Sequence, residues 1–176
     1  MGFSRSTWSP DSRHRRARRA CSRWGTAMTT ASSDTAASIS SADAKVRFAH
    51  PLPVDDIAVD FRGVNFVLAH LGNPWTIDAA EVVYKNSNVY ADLSGFLVGD
   101  AAYFEDPAND EGIGHAVERI REAFAWVEDP RKFLYGSDWP LVPMRPYLEF
   151  VGRAIEPEHQ ELVFSENARR VFGLPG

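Results

Sequence analysis

The chain predicts an α/β fold in which three or four βα units form an open parallel sheet, a sector of an eight-stranded α/β barrel. Three observations carry this. Short, almost wholly apolar runs alternate with amphipathic stretches of helical period from about residue 46 onward. The apolar run at Val64–Ala69 (VNFVLA) suits a parallel strand covered on both faces, and Asn88–Leu93 (NVYADL) and Lys132–Tyr135 read as the next two strands. Strand–helix alternation of this kind argues for a parallel sheet with right-handed crossovers, and a closed barrel would need eight strands.

The elements follow in order. Val46–Ala49 is a candidate fourth strand. Val54–Phe61, preceded by Pro53, has apolar residues at helical spacing and leads into the first apolar strand. Thr76–Lys85 reads as a helix capped by Thr76, with Ile77, Ala80, Val83 and Tyr84 on one stripe. Ser94 and Gly95 end the strand at Asn88–Leu93. Glu111–Val127 is a longer amphipathic helix whose apolar face holds Ile113, Val117, Ile120, Phe124 and Val127. Gly136 stops the strand at Lys132–Tyr135. Arg145–Ile155 and Ser165–Phe172 read as terminal helices, with Ser165 as an N-cap.

Residues 1–44 differ from 45–176. The first 24 residues hold seven arginines against a single acid, Asp11, whereas the whole chain carries a net charge of −5, so the body is strongly acidic. Such a body has little with which to neutralise phosphates and is expected not to bind nucleic acid. The small, polar stretch TTASSDTAASISSADA cannot bury enough to offset its ordering entropy, so the tail is expected to be disordered. Its Arg- and Ser-rich start fits a transit peptide, a nucleic-acid or targeting arm, or a misassigned start with Met28 as the true one. No apolar run approaches the roughly 20 residues of a membrane span, and a soluble, cytoplasmic protein is the default. The single cysteine, Cys21, lies in the tail, which leaves no intrachain disulfide and no cysteine-based metal cage.

In parallel α/β folds the chemistry sits at the carboxyl ends of the strands. Past the first apolar strand come His70, Leu71, Gly72, Asn73, Pro74 and Trp75. Asp92 closes the second, and Ser137, Asp138, Trp139 and Pro140 follow the third. His70 and Asp138 are residue types that bind a divalent metal or move a proton. Each also has an architectural reading, His70 as a satisfied strand-end histidine and Asp138 as a turn cap. Asp92 reads as a cap or a rim hydrogen-bond partner outside the site. His50, His115 and His159 read as structural or solvated, and His14 belongs to the tail.

The segments PLPVDDIAVDF, VNFVLAHLGNPW, NVYADLSG, KFLYGSDWP and FSENARRVFGL resemble, in order and spacing, the C-terminal part of the amidohydrolase-related family. That resemblance implies a partial (β/α)₈ TIM barrel from a group of metal-dependent lactone, amide and ester hydrolases that includes aromatic-acid decarboxylases. It implies Zn or Mn as cofactor and a small-molecule substrate. The HLGNPW motif is more similar to the hydrolase branch. By resemblance, His70 is the strand-six histidine facing the substrate or the attacking water, and Asp138 is the strand-eight aspartate that ligates the metal and takes a proton from that water. The chain departs from the family pattern at two points: it contains no His-x-His pair, and the family's fifth-strand histidine ligand would lie upstream of the match, since His50 stands where the family has no ligand. Of the family's ligands Asp138 alone remains, short of the three protein ligands of a catalytic zinc site. The expectation is a truncated hydrolase, inactive as an isolated chain. The alternative is a non-catalytic remnant or interaction protein that forms a homo-oligomer through exposed sheet edges. Trp75 and Trp139 hint at a flat or apolar substrate.

Overall fold

The computed structural model describes Thr26–Ala27 and residues 46–175. The tail expected to be disordered lies outside the described residues, apart from those two. They form β1 (Thr26–Ala27), which pairs parallel with β2 (Asn65–Leu68), Thr26 against Asn65. β3 (Val89–Asp92) and β4 (Phe133–Leu134) complete a parallel sheet of order β1-β2-β3-β4. Phe66 stands opposite Val89, and Ala91 opposite Phe133. Among the described residues the sheet is open, with β4 at one edge. The four residues at Val46–Ala49 are not a strand: Val46–Phe48 form a 3-10 turn closed by Ala49 N–H to the Val46 carbonyl at 2.9 Å. The V-R-F alternation imitates a strand, but a local turn satisfies its backbone first.

The helices are α1 (Leu52–Asp60), α2 (Thr76–Lys85), α3 (Ala101–Glu105), α4 (Asp110–Val127), α5 (Met144–Gly152) and α6 (Asn167–Phe172). α3, whose N-cap Asp100 accepts from Tyr103 N–H, was not visible in the sequence pattern. Two expected caps do not form. Thr76 is the first helical residue of α2, buried, with Trp75 at the cap position and no side-chain cap bond. Ser165 falls inside a π-helical turn, Leu162–Glu166, that feeds α6. Tyr84, expected on the buried stripe of α2, is exposed; the buried positions are Thr76, Ala79, Ala80, Val82 and Val83.

Because side chains alternate along a strand, the sheet has two apolar faces. Phe66, Leu68, Val89, Ala91 and Phe133 face the main core with Val54, Ala58, Val83, Ile113, Ile120 and Phe150. Phe124 of α4 stacks on Phe133 with ring centroids 3.8 Å apart. Burying a large apolar side chain of this kind stabilises the fold by about 1.5–3 kcal/mol, so this face holds the strands in place. Val67, Tyr90 and Leu134 on the opposite face pack with Val171 and Ala168 of α6. No helix among the described residues is long and apolar enough to cross a membrane.

Candidate functional site

The site is built by three strand ends. β2 runs into His70, Leu71 and Gly72, all left-handed, with φ of 58°, 47° and 61°. Two of these are non-glycine residues in a conformation that costs energy and persists only where the surroundings enforce it. The reversal buries Leu71 completely and sets His70 against the end of β3. Gly72 is required here, because a Cβ would lie 2.7 Å from Ala79 Cβ on α2.

Asp92 is the centre of the arrangement. Its Oδ1 accepts from His70 N–H at 3.1 Å, Ser94 N–H at 3.0 Å and Ser94 Oγ–H at 2.5 Å. Ser94 Oγ in turn lies 2.8 Å from His70 Nδ1. A hydroxyl has one proton to give. Ser94 spends it on Asp92, so the Ser94 oxygen accepts from Nδ1–H of His70. The proton on Nδ1 makes Nε2 the nitrogen that can gain or lose one, and no described residue hydrogen-bonds it. Asp138, itself left-handed at φ 58°, brings Oδ2 to 3.5 Å from the same Nδ1. Its carboxylate therefore faces the proton-bearing nitrogen. Asp138 is partly exposed, whereas His70 is buried.

The surrounding contacts hold this group still. The His70 ring lies over Gly95. Asn73 Nδ2 donates to the Gly95 carbonyl at 3.3 Å, and Asn73 Oδ1 accepts from Arg119 of α4 at 2.6 Å. Burial lowers the Arg119 pKa from its usual value, with Glu122 opposing the shift. Tyr147 of α5 hydrogen-bonds the turn after β3 at both ends.

The two residues singled out in the sequence, His70 and Asp138, are thus brought together. Asp92, which the sequence reading places outside the site, accepts hydrogen bonds from both His70 and Ser94. Ser94 and Gly95 were read only as the end of a strand, and Tyr147 carried no signal beyond its apolar helix. His50 bonds Asp78 at 3.1 Å and packs against Trp75, so Trp75 is engaged beside α2. Trp139 is 68% exposed on the loop that carries Asp138.

The donor set does not fit a divalent cation. Asp92 Oδ1 already accepts three hydrogen bonds, and His70 Nδ1 carries a proton toward both Ser94 and Asp138. That leaves the Asp138 carboxylate and His70 Nε2, short of the three protein ligands of a catalytic zinc site. Among the described residues no group of three or more His, Cys, Asp or Glu side chains could hold a metal.

The fold is similar to that of solved TIM-barrel proteins. An uncharacterized TIM-barrel protein from Bordetella bronchiseptica superposes with a TM-score of 0.54 at 24% identity, over 74% of this chain and 41% of that one. An amidohydrolase from Burkholderia multivorans, solved with bound Zn, gives 0.53 at 18% identity, over 69% of this chain and 48% of that one. The chain therefore spans less than half the length of either. No curated protein matches it. A family model described as Amidohydrolase matches residues 8–174, reaching further toward the N-terminus than the five motifs. That match covers most of the chain, and the chain belongs to the amidohydrolase family.

Proposed function

We propose that the chain carries the strand-six to strand-eight side of a metal-dependent hydrolase that adds water to a lactone, amide or ester carbonyl of a small molecule. The observation that carries this reading is the Asp92–Ser94–His70 relay with Asp138 against the same ring. In hydrolysis, water adds to the carbonyl carbon and gives up a proton, and the C–O or C–N bond breaks as the leaving group takes one. Asp138 is the base for the first transfer. His70, with Nδ1–H fixed by Ser94, exchanges a proton at Nε2. Asp92 and Ser94 orient the ring and touch no reacting atom. A divalent ion, Zn or Mn by family, would polarise the carbonyl, but it needs protein donors beyond those of the described residues. The described residues alone are therefore inactive.

Metal analysis of the purified chain tests the donor count. The expected result is far less than one equivalent of Zn or Mn surviving dialysis, together with no hydrolysis across a panel of lactones, amides and esters. Tightly held, near-stoichiometric metal, or turnover abolished by Asp138→Asn, would defeat the claim of inactivity.

A second reading is association of copies through the sheet. It is favoured by the outer edge of β4, which has no strand partner among the described residues. Light scattering that gives a monomer at all concentrations would dismiss it.

A further inference from the structure

Tyr147 lies on α5, and its side chain is fully buried. Its hydroxyl donates to the Leu93 carbonyl at 2.8 Å and accepts from Phe96 N–H at 3.1 Å. One oxygen thus closes both ends of the four-residue turn Leu93–Phe96. The two residues inside that turn are the ones that seat His70: Ser94, whose Oγ receives Nδ1–H, and Gly95, which lies beneath the ring. Nothing larger than glycine fits, since a Cβ would stand 2.4 Å from Nδ1. Burial pushes the Tyr147 phenol well above its ordinary range, so the hydroxyl keeps the proton that it gives to Leu93.

We propose that Tyr147 is a positioning residue for His70: by clasping Leu93 and Phe96 it fixes the turn whose Ser94 hydroxyl holds the imidazole proton on Nδ1. The inference rests on the reading of His70 as the proton-exchanging group. Without the hydroxyl, a buried carbonyl and a buried N–H lose their shared partner, and the turn must shift to find others. Ser94 Oγ moves with it, and the Nδ1–H form loses its preference. The Asn73–Arg119 strut holds only the Gly95 carbonyl and cannot replace a clasp on both ends.

The test is nitrogen NMR of the His70 ring in the full chain, at one fixed pH about two units above the ordinary imidazole value of about 6.5. In the parent, Nδ1 should resonate as a protonated nitrogen and Nε2 as an unprotonated one. Tyr147→Phe, which keeps the ring and its packing, should draw the two resonances together as the forms mix. Ser94→Ala should draw them together further. Ile120→Val, a core change of α4 that weakens the fold elsewhere, should leave them in place, so general loosening is separated from positioning. Unmoved His70 resonances in folded Tyr147→Phe would overturn the proposal. If that variant does not fold in buffer, both proteins are compared in trimethylamine N-oxide, which favours the compact state. The His70 signals of Tyr147→Phe should be displaced there, and no displacement overturns the proposal equally. A parent spectrum with Nε2 protonated would overturn both this role and the relay beneath it. Turnover of an ester, lactone or amide by the purified chain would count against its inactivity and not against this role.

Discussion

The ring of His70 and the α-carbon of Gly95 are in contact: a methyl group added to Gly95 would come within 2.4 Å of Nδ1 and 2.7 Å of Cγ. Gly95 also has φ of 67°. Gly95→Ala is therefore penalised twice, by the left-handed backbone and by collision with a ring that Ser94 holds from the side. We expect a loss of about 1–3 kcal/mol in denaturant unfolding, together with displaced His70 resonances. A variant as stable as the parent would show that the ring has room to move.

Asn88 fastens the start of the sheet. It is buried, and its Nδ2 lies within 3.2 Å of the Ala58, Phe61 and Val64 carbonyls, tying the end of α1 to the strand that follows. Asn88→Asp has the same shape but replaces the donor with an acceptor, so three carbonyl oxygens would confront a carboxylate. The expected cost at neutral pH is about 2–3 kcal/mol or more, read from the urea midpoint. A change below half of that would mean that Asn88 is not the fastening.

Asp55 gives a pH prediction. Its pKa is held below the usual carboxylate value, first by its hydrogen bond from Lys85 and then by that from Asn86. A carboxyl with a depressed folded pKa stabilises the fold above its unfolded value of about 4, and that contribution disappears as pH falls through the folded one. The stability deficit of Asp55→Ala should thus be present at about pH 7 and shrink toward about pH 3. Half of the Lys85 side chain is exposed, so the ion-pair part of the deficit stays below about 1 kcal/mol. A deficit that grows on acidification would contradict the assignment.

Trp139 separates rim from core. With most of its surface exposed, Trp139→Ala should change the unfolding free energy by no more than about 0.5 kcal/mol. The same substitution should weaken binding of aromatic esters more than that of aliphatic ones in any assembled, active form. Equal losses for both would dismiss Trp139 as a substrate contact.

β2, β3, β4 and α4 were legible in the sequence to within a residue or two, because their period reports burial directly. The failures share a cause. Val46–Phe48 has strand chemistry, and Thr76 and Ser165 have cap chemistry, but each was settled by neighbours that local pattern cannot display. α3 is five residues long and buries none of them, so it leaves no periodic trace. In the site, His70 and Asp138 were found from their positions past strand ends and from family motifs. Ser94 and Tyr147 act through contacts 24 and 54 residues away in sequence. A serine that ends a strand gives no sign of which imidazole it will meet.

The left-handed reversal at the end of β2 has an evolutionary consequence. Leu71, anchored in the interior, and His70, presented at the mouth, are consecutive residues on one bent wire. Any drift in the histidine must drag the hydrophobic interior with it, so selection cannot retune this group independently of the fold. New ligand preferences would more readily enter through the segments after β3 and β4, where Val98, Trp139 and Leu141 stand in solvent with little committed to the interior.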